Sequence, residues 1–268
     1  MAAILVNGVQ LFYKEQGSGF PILLIHGTAG NADLWGETFD ALAPHQHVIA
    51  YDRRGFSRSI AEPAQTLHQH GEDAAALLAA LDTGAVTVVG WSAGGIVALD
   101  LALHHPELVS SVILYEPTLY LRKHLQPSFV KEFLKVQIFR WLKRERRANE
   151  QFLRFVLAYN TGGTAFDRLP VAWQQAMLDN THASLAEIDA GTGEYLSPQQ
   201  LSSISCPVTC LAGSLSLSFY HAACQRILHL LLQANMQVVE GAGHFVTFDQ
   251  PTAFASAIQN AEISYSHK

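Results

Sequence analysis

The sequence has few cysteines and few charged residues, and it lacks any long apolar run. Three cysteines among 268 residues are too few for a disulfide framework, and we interpret them as buried apolar residues of a cytoplasmic protein. No stretch of about 18 apolar residues occurs, and the N-terminal residues lack the basic and apolar segments of a signal peptide, so neither a membrane span nor secretion is expected. A net charge of −6 argues against nucleic acid as a partner.

The composition instead supports a large folded core in which strands alternate with helices. Hydrophobic residues make up 49% of the chain and charged residues 15%, which excludes extensive disorder. Apolar runs alternate with helical patterns, an order typical of the α/β class, with a mostly parallel sheet between helices. An Asn7-Gly8 pair between two further apolar segments predicts a hairpin. The predicted buried strands are residues 21–25, 48–51, 86–89, 109–115, 208–211 and 237–239, and the predicted helices are residues 33–42, 71–81, 92–104, 220–232 and 252–260.

One long segment interrupts this alternation and predicts a second structural unit. Residues 118–205 contain helical patterns and turns but no convincing strand. We interpret them as a helical cap, inserted between two strands of a core that is formed by residues 1–117 and 206–268. The cap holds 11 of the 17 Lys and Arg residues. Its basic run at residues 140–147 could steer an anionic ligand, but a solvated helix face is the favoured interpretation.

The most informative motif is Gly90-x-Ser92-x-Gly94. A β-branched run precedes the motif and a helix-like run follows it at once, so the chain turns sharply from strand to helix at Ser92. Such a turn strains the serine backbone and holds its hydroxyl out at the sheet edge, while the flanking glycines relieve the crowding. Ser92 is therefore the candidate nucleophile.

A serine nucleophile needs a base, and it needs donors for the charge that develops on the substrate oxygen. Of the 13 histidines, His244 is the candidate base, because it lies in a glycine-rich loop directly after the last predicted strand. The turn at residues 26–30 follows a buried strand that should lie beside Ser92. The backbone N–H groups of Thr28 and Ala93 are therefore the predicted oxyanion hole.

Over nearly its whole length the chain resembles the α/β-hydrolase superfamily. The matching motifs are His26-Gly27, residues 52–59, the serine turn at Ser92 and the pair Gly243-His244, and the order of serine, acid and histidine also fits. The resemblance implies an α/β-hydrolase fold and a Ser-His-acid triad that works without a metal or a cofactor.

The sequence departs from that superfamily at the triad acid. Most members carry an aspartate just after the strand that leaves the cap, where this chain has Ser216, and only Glu240 supplies a carboxylate between residues 206 and 244. Either the triad is broken or the acid comes from another strand. The candidate is Glu116, which ends the strand next to that of Ser92, although a purely structural role is the alternative.

The choice of Glu116 also rests on resemblance to one group within the superfamily. The zearalenone-type lactone hydrolases, which this chain resembles most in pattern, place their acid at that strand end. In this chain Glu116 follows Ser92 by the same 24 residues. The resemblance therefore implies a Ser92, His244 and Glu116 triad.

These residues favour a serine hydrolase that cleaves a carboxylic ester or lactone, with large apolar lactones such as mycotoxins or macrolides among the candidates. Two alternatives stay open: a receptor of the same fold that binds without turnover, and a hydrolase of carbon–carbon bonds. The expected partner is a small-molecule substrate rather than nucleic acid or a membrane, and a homodimer is left open. Apolar residues of the cap or near the serine are the candidate substrate-binding residues, namely Trp91, Trp173, Leu34, Trp35 and Met177.

Overall fold

The computed structural model describes residues 2–121 and 127–266, and one twisted sheet lies at its centre. Its strands are β1 (Ala2–Val6), β2 (Val9–Gln16), β3 (Pro21–Ile25), β4 (His47–Tyr51), β5 (Val86–Trp91), β6 (Val109–Tyr115), β7 (Val208–Gly213) and β8 (Asn235–Val239). They lie in the order β1-β2-β4-β3-β5-β6-β7-β8. The pairs β1–β2 and β2–β4 are antiparallel, and all other neighbours are parallel.

The sheet forms where the apolar runs predict it. Every residue of β5 and β7 is buried, because these strands are apolar on both faces and are covered by helices on both sides. Asn7 and Gly8 have φ angles of 47° and 72°, and positive values at both central residues are what a two-residue hairpin of type I′ requires. The predicted α/β class and the mostly parallel sheet are thereby confirmed.

Helices cover both faces of the sheet. Side chains of α2, α3 and α9 pack in the core on one face, and those of α1 and α11 pack on the other. Helix α2 begins four residues before the predicted start, because Thr66 caps it: the Thr66 side chain accepts a hydrogen bond from the Gln69 N–H over 3.2 Å. These helices are α1 (Gly36–Leu42), α2 (Leu67–Ala80), α3 (Ala93–His104), α9 (Ser218–Leu230), α10 (Val246–Asp249) and α11 (Pro251–Ser266).

The segment between β6 and β7 is a helical cap. Val136, Ala148 and Leu185 form a small apolar core within it. Two of its basic residues, Arg122 and Lys123, lie outside the described residues. None of the described helices is both long and apolar enough to cross a lipid bilayer. The cap helices are α4 (Pro127–Trp141), α5 (Glu145–Val156), α6 (Val171–Asp179), α7 (Thr181–Ala190) and α8 (Pro198–Ser202).

Candidate active site

The carboxyl ends of β5 and β6 bring two of the sequence-predicted groups together. Trp91, the last residue of β5, pairs with Tyr115, the last residue of β6, so Ser92 and Glu116 leave the sheet side by side. The Ser92 N–H donates to the Tyr115 carbonyl oxygen over 2.9 Å. Since parallel strands end at the same edge of a sheet, residues distant in sequence meet at this edge.

Ser92 occupies the strained turn that its motif predicts. Its φ is 57° and its ψ is −121°, a conformation that L-residues rarely adopt. A Cβ at Gly90 would lie 2.4 Å from the Gly94 carbonyl oxygen, and a Cβ at Gly94 would lie 2.3 Å from the Ile25 carbonyl oxygen. Only glycine fits at either position, so α3 packs directly on the strand ends and Ser92 lies at the wall of a cavity.

The imidazole of His244 lines the same cavity and is held from three directions. Its Nδ1–H donates to Glu116 Oε2 over 2.6 Å. The ring stacks on that of Tyr220, with 3.9 Å between centroids and 11° between planes. The indole Nε1–H of Trp91 donates to the His244 carbonyl oxygen over 2.9 Å. These contacts fix the ring orientation and leave Nε2 as the nitrogen that is not bonded to Glu116.

Glu116 is fully buried and both of its carboxylate oxygens are engaged. Oε2 accepts from His244, and Oε1 accepts from the Gly213 backbone N–H over 2.7 Å. Its φ of 46° turns the chain away from β6, and its own N–H donates to the Leu211 carbonyl oxygen over 3.0 Å. The carboxylate is therefore oriented by backbone groups of β7, the strand whose end carries the acid in most of the superfamily.

Ser216, at the usual position of the acid, is buried in the turn after β7. Its hydroxyl lies against the phenol of Tyr115. That phenol donates to the Gly243 carbonyl oxygen over 2.6 Å. Burial and the nearby charge of Glu116 raise the pKa of Tyr115 well above its usual value, so the phenol stays a neutral donor that supports the loop of His244.

The loop after β3 lies against the serine turn. A Cβ on Gly27 would lie 2.9 Å from the Ser92 Cβ, so glycine is required for this close approach. Thr28 and Ala93, the predicted oxyanion residues, both line the cavity next to Ser92. The Thr28 hydroxyl donates to Glu187 Oε1 over 2.6 Å. The loop is thus held from the sheet on one side and from cap helix α7 on the other.

The ring of His26 connects this loop to the backbone of Arg53. Its Nε2 accepts a hydrogen bond from the Arg53 backbone N–H over 3.0 Å, so Nδ1 carries the proton and donates to the Gly27 carbonyl oxygen over 2.8 Å. Burial, and then the positive charge of Arg53, hold the pKa of His26 well below its usual value. The ring is therefore neutral and locked in one tautomer.

The two histidines under this loop should make the protein sensitive to acid. Burial also holds the pKa of His70 well below its usual value. The unfolded chain takes up a proton at each histidine below about pH 6.5, whereas the folded chain does not, so stability is full above that pH and falls as the pH drops. We expect the free energy of unfolding to decrease by about 2 kcal/mol between pH 6.5 and pH 5.5, measured by urea unfolding.

A matched variant separates the two contributions to this acid sensitivity. Since each ring supplies about half of the effect, His70→Gln should lose only about 1 kcal/mol over the same interval. Equal stability of the native protein at both pH values would show that the folded protein binds these protons as readily as the unfolded chain.

The cavity has a volume of about 380 Å³ and mostly apolar walls. Ser92 and His244 are among its lining residues, and the cap supplies much of the remaining wall. Trp91 and Met177, two of the predicted substrate-binding residues, line it. Helices α4 and α5 contribute Phe129, Phe133, Phe152, Leu153 and Val156, and the remaining lining residues are Gly27, Thr28, Ala93, Thr118, Leu121, Leu157, Glu187, Ile188, Gly191, Thr192 and Tyr220.

The structure places the other three predicted substrate-binding residues outside the lining of this cavity. Leu34 and Trp35 are 1% exposed, and Trp35 stacks on Phe254 of α11 with 6.3 Å between ring centroids. Trp173 packs against Phe245, 5.8 Å between centroids. Their place in sequence, near the loop after β3 or within the cap, suggested the cavity, but Leu34 and Trp35 are buried in the core and Trp173 packs against it.

Sequence reasoning missed an ion pair between the cap and the core. Glu187 of α7 lines the cavity, and its carboxylate forms a two-pronged pair with the guanidinium of Arg53, whose side chain is fully buried. Glu187 Oε2 also lies 3.6 Å from His70 Nε2. The partners are separated by 134 residues, so no local pattern could indicate them. Arg53 alone had a signal, since it lies in the motif at residues 52–59.

Among the residues that the structure describes, one group has the composition of a metal site: His68, Asp100 and His104. His68 Nδ1 lies 2.9 Å from Asp100 Oδ1, and His104 Nδ1 lies 3.0 Å from the Asp100 carbonyl oxygen. The Tyr195 hydroxyl donates to Asp100 Oδ2 over 2.8 Å. Both Nδ1 atoms and the carboxylate thus have protein partners, and the group ties α2 and α3 to the loop after α7.

Comparison with known proteins agrees with the observed fold. The chain matches the family model of the alpha/beta hydrolase fold over residues 21–251. The solved structure described as "Est816 as an N-Acyl homoserine lactone degrading enzyme" superimposes with a TM-score of 0.78 at 24% identity, covering 97% of this chain and 99% of that one. At this identity the likeness supports the fold alone.

Two curated proteins are similar in sequence. Pimeloyl-[acyl-carrier protein] methyl ester esterase of Vibrio cholerae is 37% identical over 103 residues, which are 38% of this chain and 39% of that protein. The 2-hydroxy-6-oxo-6-(2'-aminophenyl)hexa-2,4-dienoic acid hydrolase of Metapseudomonas resinovorans is 24% identical over 270 residues, 94% of this chain and 87% of that one. The chain spans only about two fifths of the length of several curated relatives that it matches.

The family match covers most of the chain, and the strand order and the serine turn agree with it independently. Since the site lies at the strand ends where this architecture forms its ligand crevice, fold and sequence lead to one conclusion: the chain belongs to the α/β-hydrolase family.

Proposed function

We propose that this protein is a serine hydrolase that cleaves a carboxylic ester or lactone through Ser92, His244 and Glu116. The observation that carries the proposal is the 2.6 Å contact between Glu116 Oε2 and His244 Nδ1, formed at the wall of the cavity that also exposes Ser92. A buried carboxylate that holds a histidine in one tautomer beside a strained serine is the arrangement that nucleophilic acyl transfer needs.

Each side chain has a defined task in this reaction. The Ser92 Oγ attacks the substrate carbonyl carbon while His244 Nε2 takes its proton, and Glu116 stabilises the imidazolium that forms. The backbone N–H groups of Thr28 and Ala93 stabilise the negative oxygen of the tetrahedral intermediate. His244 then returns the proton to the leaving alkoxide, and the ester bond breaks. Water, activated by the same histidine, releases the acid from Ser92.

The cavity walls favour an apolar substrate of moderate size. Aromatic rings of Trp91, Phe129, Phe133, Phe152 and Tyr220 form much of its lining. The carboxylate of Glu187 in the wall already bonds to Thr28 and Arg53, so it does not require a cationic substrate. About 380 Å³ lies near the lower end of the roughly 300–1,000 Å³ of small-molecule sites. We therefore favour compact apolar esters and lactones over macrolides.

Carbon–carbon bond hydrolysis is the second candidate. It is favoured by the similarity, over 94% of this chain, to the 2-hydroxy-6-oxo-6-(2'-aminophenyl)hexa-2,4-dienoic acid hydrolase of Metapseudomonas resinovorans. The same serine and histidine would serve either reaction, so product analysis decides between the two. Formation of two acids or of an acid and a ketone from a vinylogous diketone, without release of an alcohol from any ester, would favour this candidate.

Labelling and turnover together test the proposal. A fluorophosphonate should react with Ser92 in the native protein, with the adduct mapped by peptide mass spectrometry, because the proposed base lines the same cavity as the hydroxyl. Para-nitrophenyl esters should be hydrolysed, with butyrate and phenylacetate preferred over acetate, and a lactone of the zearalenone type should be included in the panel. Ser92→Ala, the matched control, should show neither labelling nor turnover.

Two outcomes contradict the proposal. Absence of labelling at Ser92 would mean that the hydroxyl is not activated. Labelling without turnover of any ester or lactone, combined with tight binding of an apolar ligand, would instead favour a receptor that retained the fold.

A further inference from the structure

Cap helix α4 exposes an apolar stripe. Val130, Leu134, Ile138 and Trp141 are 40%, 56%, 55% and 82% exposed. Their spacing of four, four and three residues places them on one side of a helix. Leu142, which follows the helix, is 45% exposed. We name these five residues the α4 stripe. Contiguous exposed apolar side chains of this kind are unusual on a protein surface and mark an interaction site.

The α4 stripe is surrounded by positive charge. Residues 127–147 contain seven of the chain's 17 Lys and Arg residues but only two glutamates, although the whole chain has a net charge of −6. The side chains of Lys131, Lys143, Arg144, Arg146 and Arg147 are exposed. Arg140 and Arg146 pair with Asp189 and Asp179, and the exposed cations Lys131, Lys143, Arg144 and Arg147 make the margin of the stripe cationic.

The inner side of the same helix belongs to the cavity. Phe129 and Phe133 line the cavity, and Val136 packs in the small core of the cap. Helix α4 is therefore the wall between the cavity and the α4 stripe. Whatever binds the stripe lies one helix diameter, about 10 Å, from the space above Ser92.

We propose that the α4 stripe and the basic residues around it dock on an anionic lipid bilayer. An apolar helix face with Lys and Arg at its margins, exposing tryptophan, is the pattern that binds at a bilayer interface: the apolar side chains enter the headgroup region and the cations contact anionic lipids. A second copy of this chain fits less well. A two-fold interface centred on the stripe would bring two cationic regions together, and a stable dimer buries about 800 Å² on each partner, more than five side chains supply.

This proposal revises the expectation, taken from composition, that no membrane is involved. Net charge and hydropathy average over the whole chain, so they hide a cationic and apolar region on one helix. Docking itself is independent of the proposed function. Its consequence rests on that function: an apolar ester dissolved in the bilayer would lie next to the cavity wall formed by Phe129 and Phe133.

Vesicle binding tests the proposal directly. The full chain is mixed with vesicles of phosphatidylcholine alone or of phosphatidylcholine with about one third phosphatidylglycerol, and bound protein is measured by sedimentation. We expect binding to the anionic vesicles only, together with a blue shift of the tryptophan emission. Trp35 and Trp91 are buried, Trp173 is half-buried against Phe245, and Trp141 is 82% exposed, so Trp141→Phe should abolish most of the shift while sedimentation persists.

Charge and apolar variants separate the two parts of the surface. Ile138→Glu should abolish sedimentation, and Lys143→Glu with Arg144→Glu should lower the partition coefficient about tenfold or more. The matched control is Leu232→Glu, because Leu232 is 94% exposed but lies outside the cap, and it should bind as the native chain does. Equal melting temperatures of the variants exclude unfolding as the cause of lost binding.

Three outcomes overturn the proposal. The first is failure of the native chain to bind anionic vesicles, and the second is equal binding to neutral ones. The third is a concentration-dependent dimer that Ile138→Glu dissociates, which would assign the α4 stripe to a second copy. Ser92→Ala should bind vesicles normally, so loss of docking and loss of turnover are distinguishable.

Discussion

Replacing Glu116 with glutamine will lower kcat by about 10²–10⁴-fold and leave KM nearly unchanged. Glutamine keeps the volume of the side chain, but an amide cannot stabilise the imidazolium, and its NH₂ group can hold His244 in the wrong tautomer. Because Glu116 acts through His244 and touches no substrate, the loss should appear in the chemical step. Hydrolysis of para-nitrophenyl butyrate by the purified variants measures it.

Glu240 supplies the matched control for this experiment. It is the other carboxylate near His244 in sequence, and it is exposed. Glu240→Gln should therefore retain native kcat. Near-native kcat in both Glu116→Gln and Glu116→Ala would remove Glu116 from the triad.

The usual acid position can be examined in the same background. Ser216 lies in the turn after β7, beside Tyr115, and Gly213 at the end of β7 already orients the Glu116 carboxylate. If a carboxylate at position 216 can reach His244, Ser216→Asp will raise kcat of the Glu116→Ala variant. No gain would mean that the ring of Tyr115, beside Ser216, or the ring of Tyr220, which stacks on His244, prevents a carboxylate at position 216 from reaching His244.

Removing the positive partner of Glu187 will destabilise the protein by about 3–5 kcal/mol. The Arg53 side chain is 0% exposed and that of Glu187 is 4% exposed, so Arg53→Met leaves a carboxylate buried without its counter-charge. The cost is large because a carboxylate that is 4% exposed loses its counter-charge without regaining full hydration. Urea unfolding at pH 7.5 measures the change in the free energy of unfolding.

A double variant tests whether the loss arises from the orphaned charge. Arg53→Met combined with Glu187→Leu removes both charges and should recover most of the lost stability, since an apolar pair of similar volume is often as stable as a buried ion pair. The double variant should still lose activity, because the Thr28 hydroxyl no longer bonds to Glu187. If the double variant loses as much free energy of unfolding as the two single variants lose together, the pair does not interact.

The serine turn and the contact between Glu116 and His244 could be predicted from sequence, because the turn depends on a local motif and the contact depends on two adjacent strand ends. A Cβ at Gly90 or Gly94 would lie less than 2.5 Å from a neighbouring carbonyl oxygen, and such a constraint leaves a visible motif. Glu116 could be placed because strands β5 and β6 are adjacent and parallel, so equal positions at their ends meet. Because Trp91 pairs with Tyr115, the residues that follow them, Ser92 and Glu116, lie side by side.

The cap contacts could not be predicted, because they depend on how the helices pack rather than on what each helix contains. Nothing near Glu187 in sequence indicates Arg53. Leu34 and Trp35 follow the loop after β3, but proximity in sequence does not fix the direction of a side chain, and a short 3₁₀-helix at Ala32–Trp35 turns both into the core. Periodicity describes which residues are buried, not which neighbour buries them.

The proposed position of the acid, directly after β6, changes what the β7–α9 connection has to do. In most of the superfamily that loop must hold a carboxylate in register with the histidine, so its length is constrained by the reaction. Here its backbone instead bonds to the cap: the Asn160 N–H donates to the Leu215 carbonyl oxygen over 2.9 Å, and its side-chain amide donates to that of Ser214 over 3.0 Å. The connection thus carries no reacting group, and its length can change as long as it keeps these bonds and the 2.8 Å bond from the Leu215 N–H to the Ala242 carbonyl oxygen in the loop of His244.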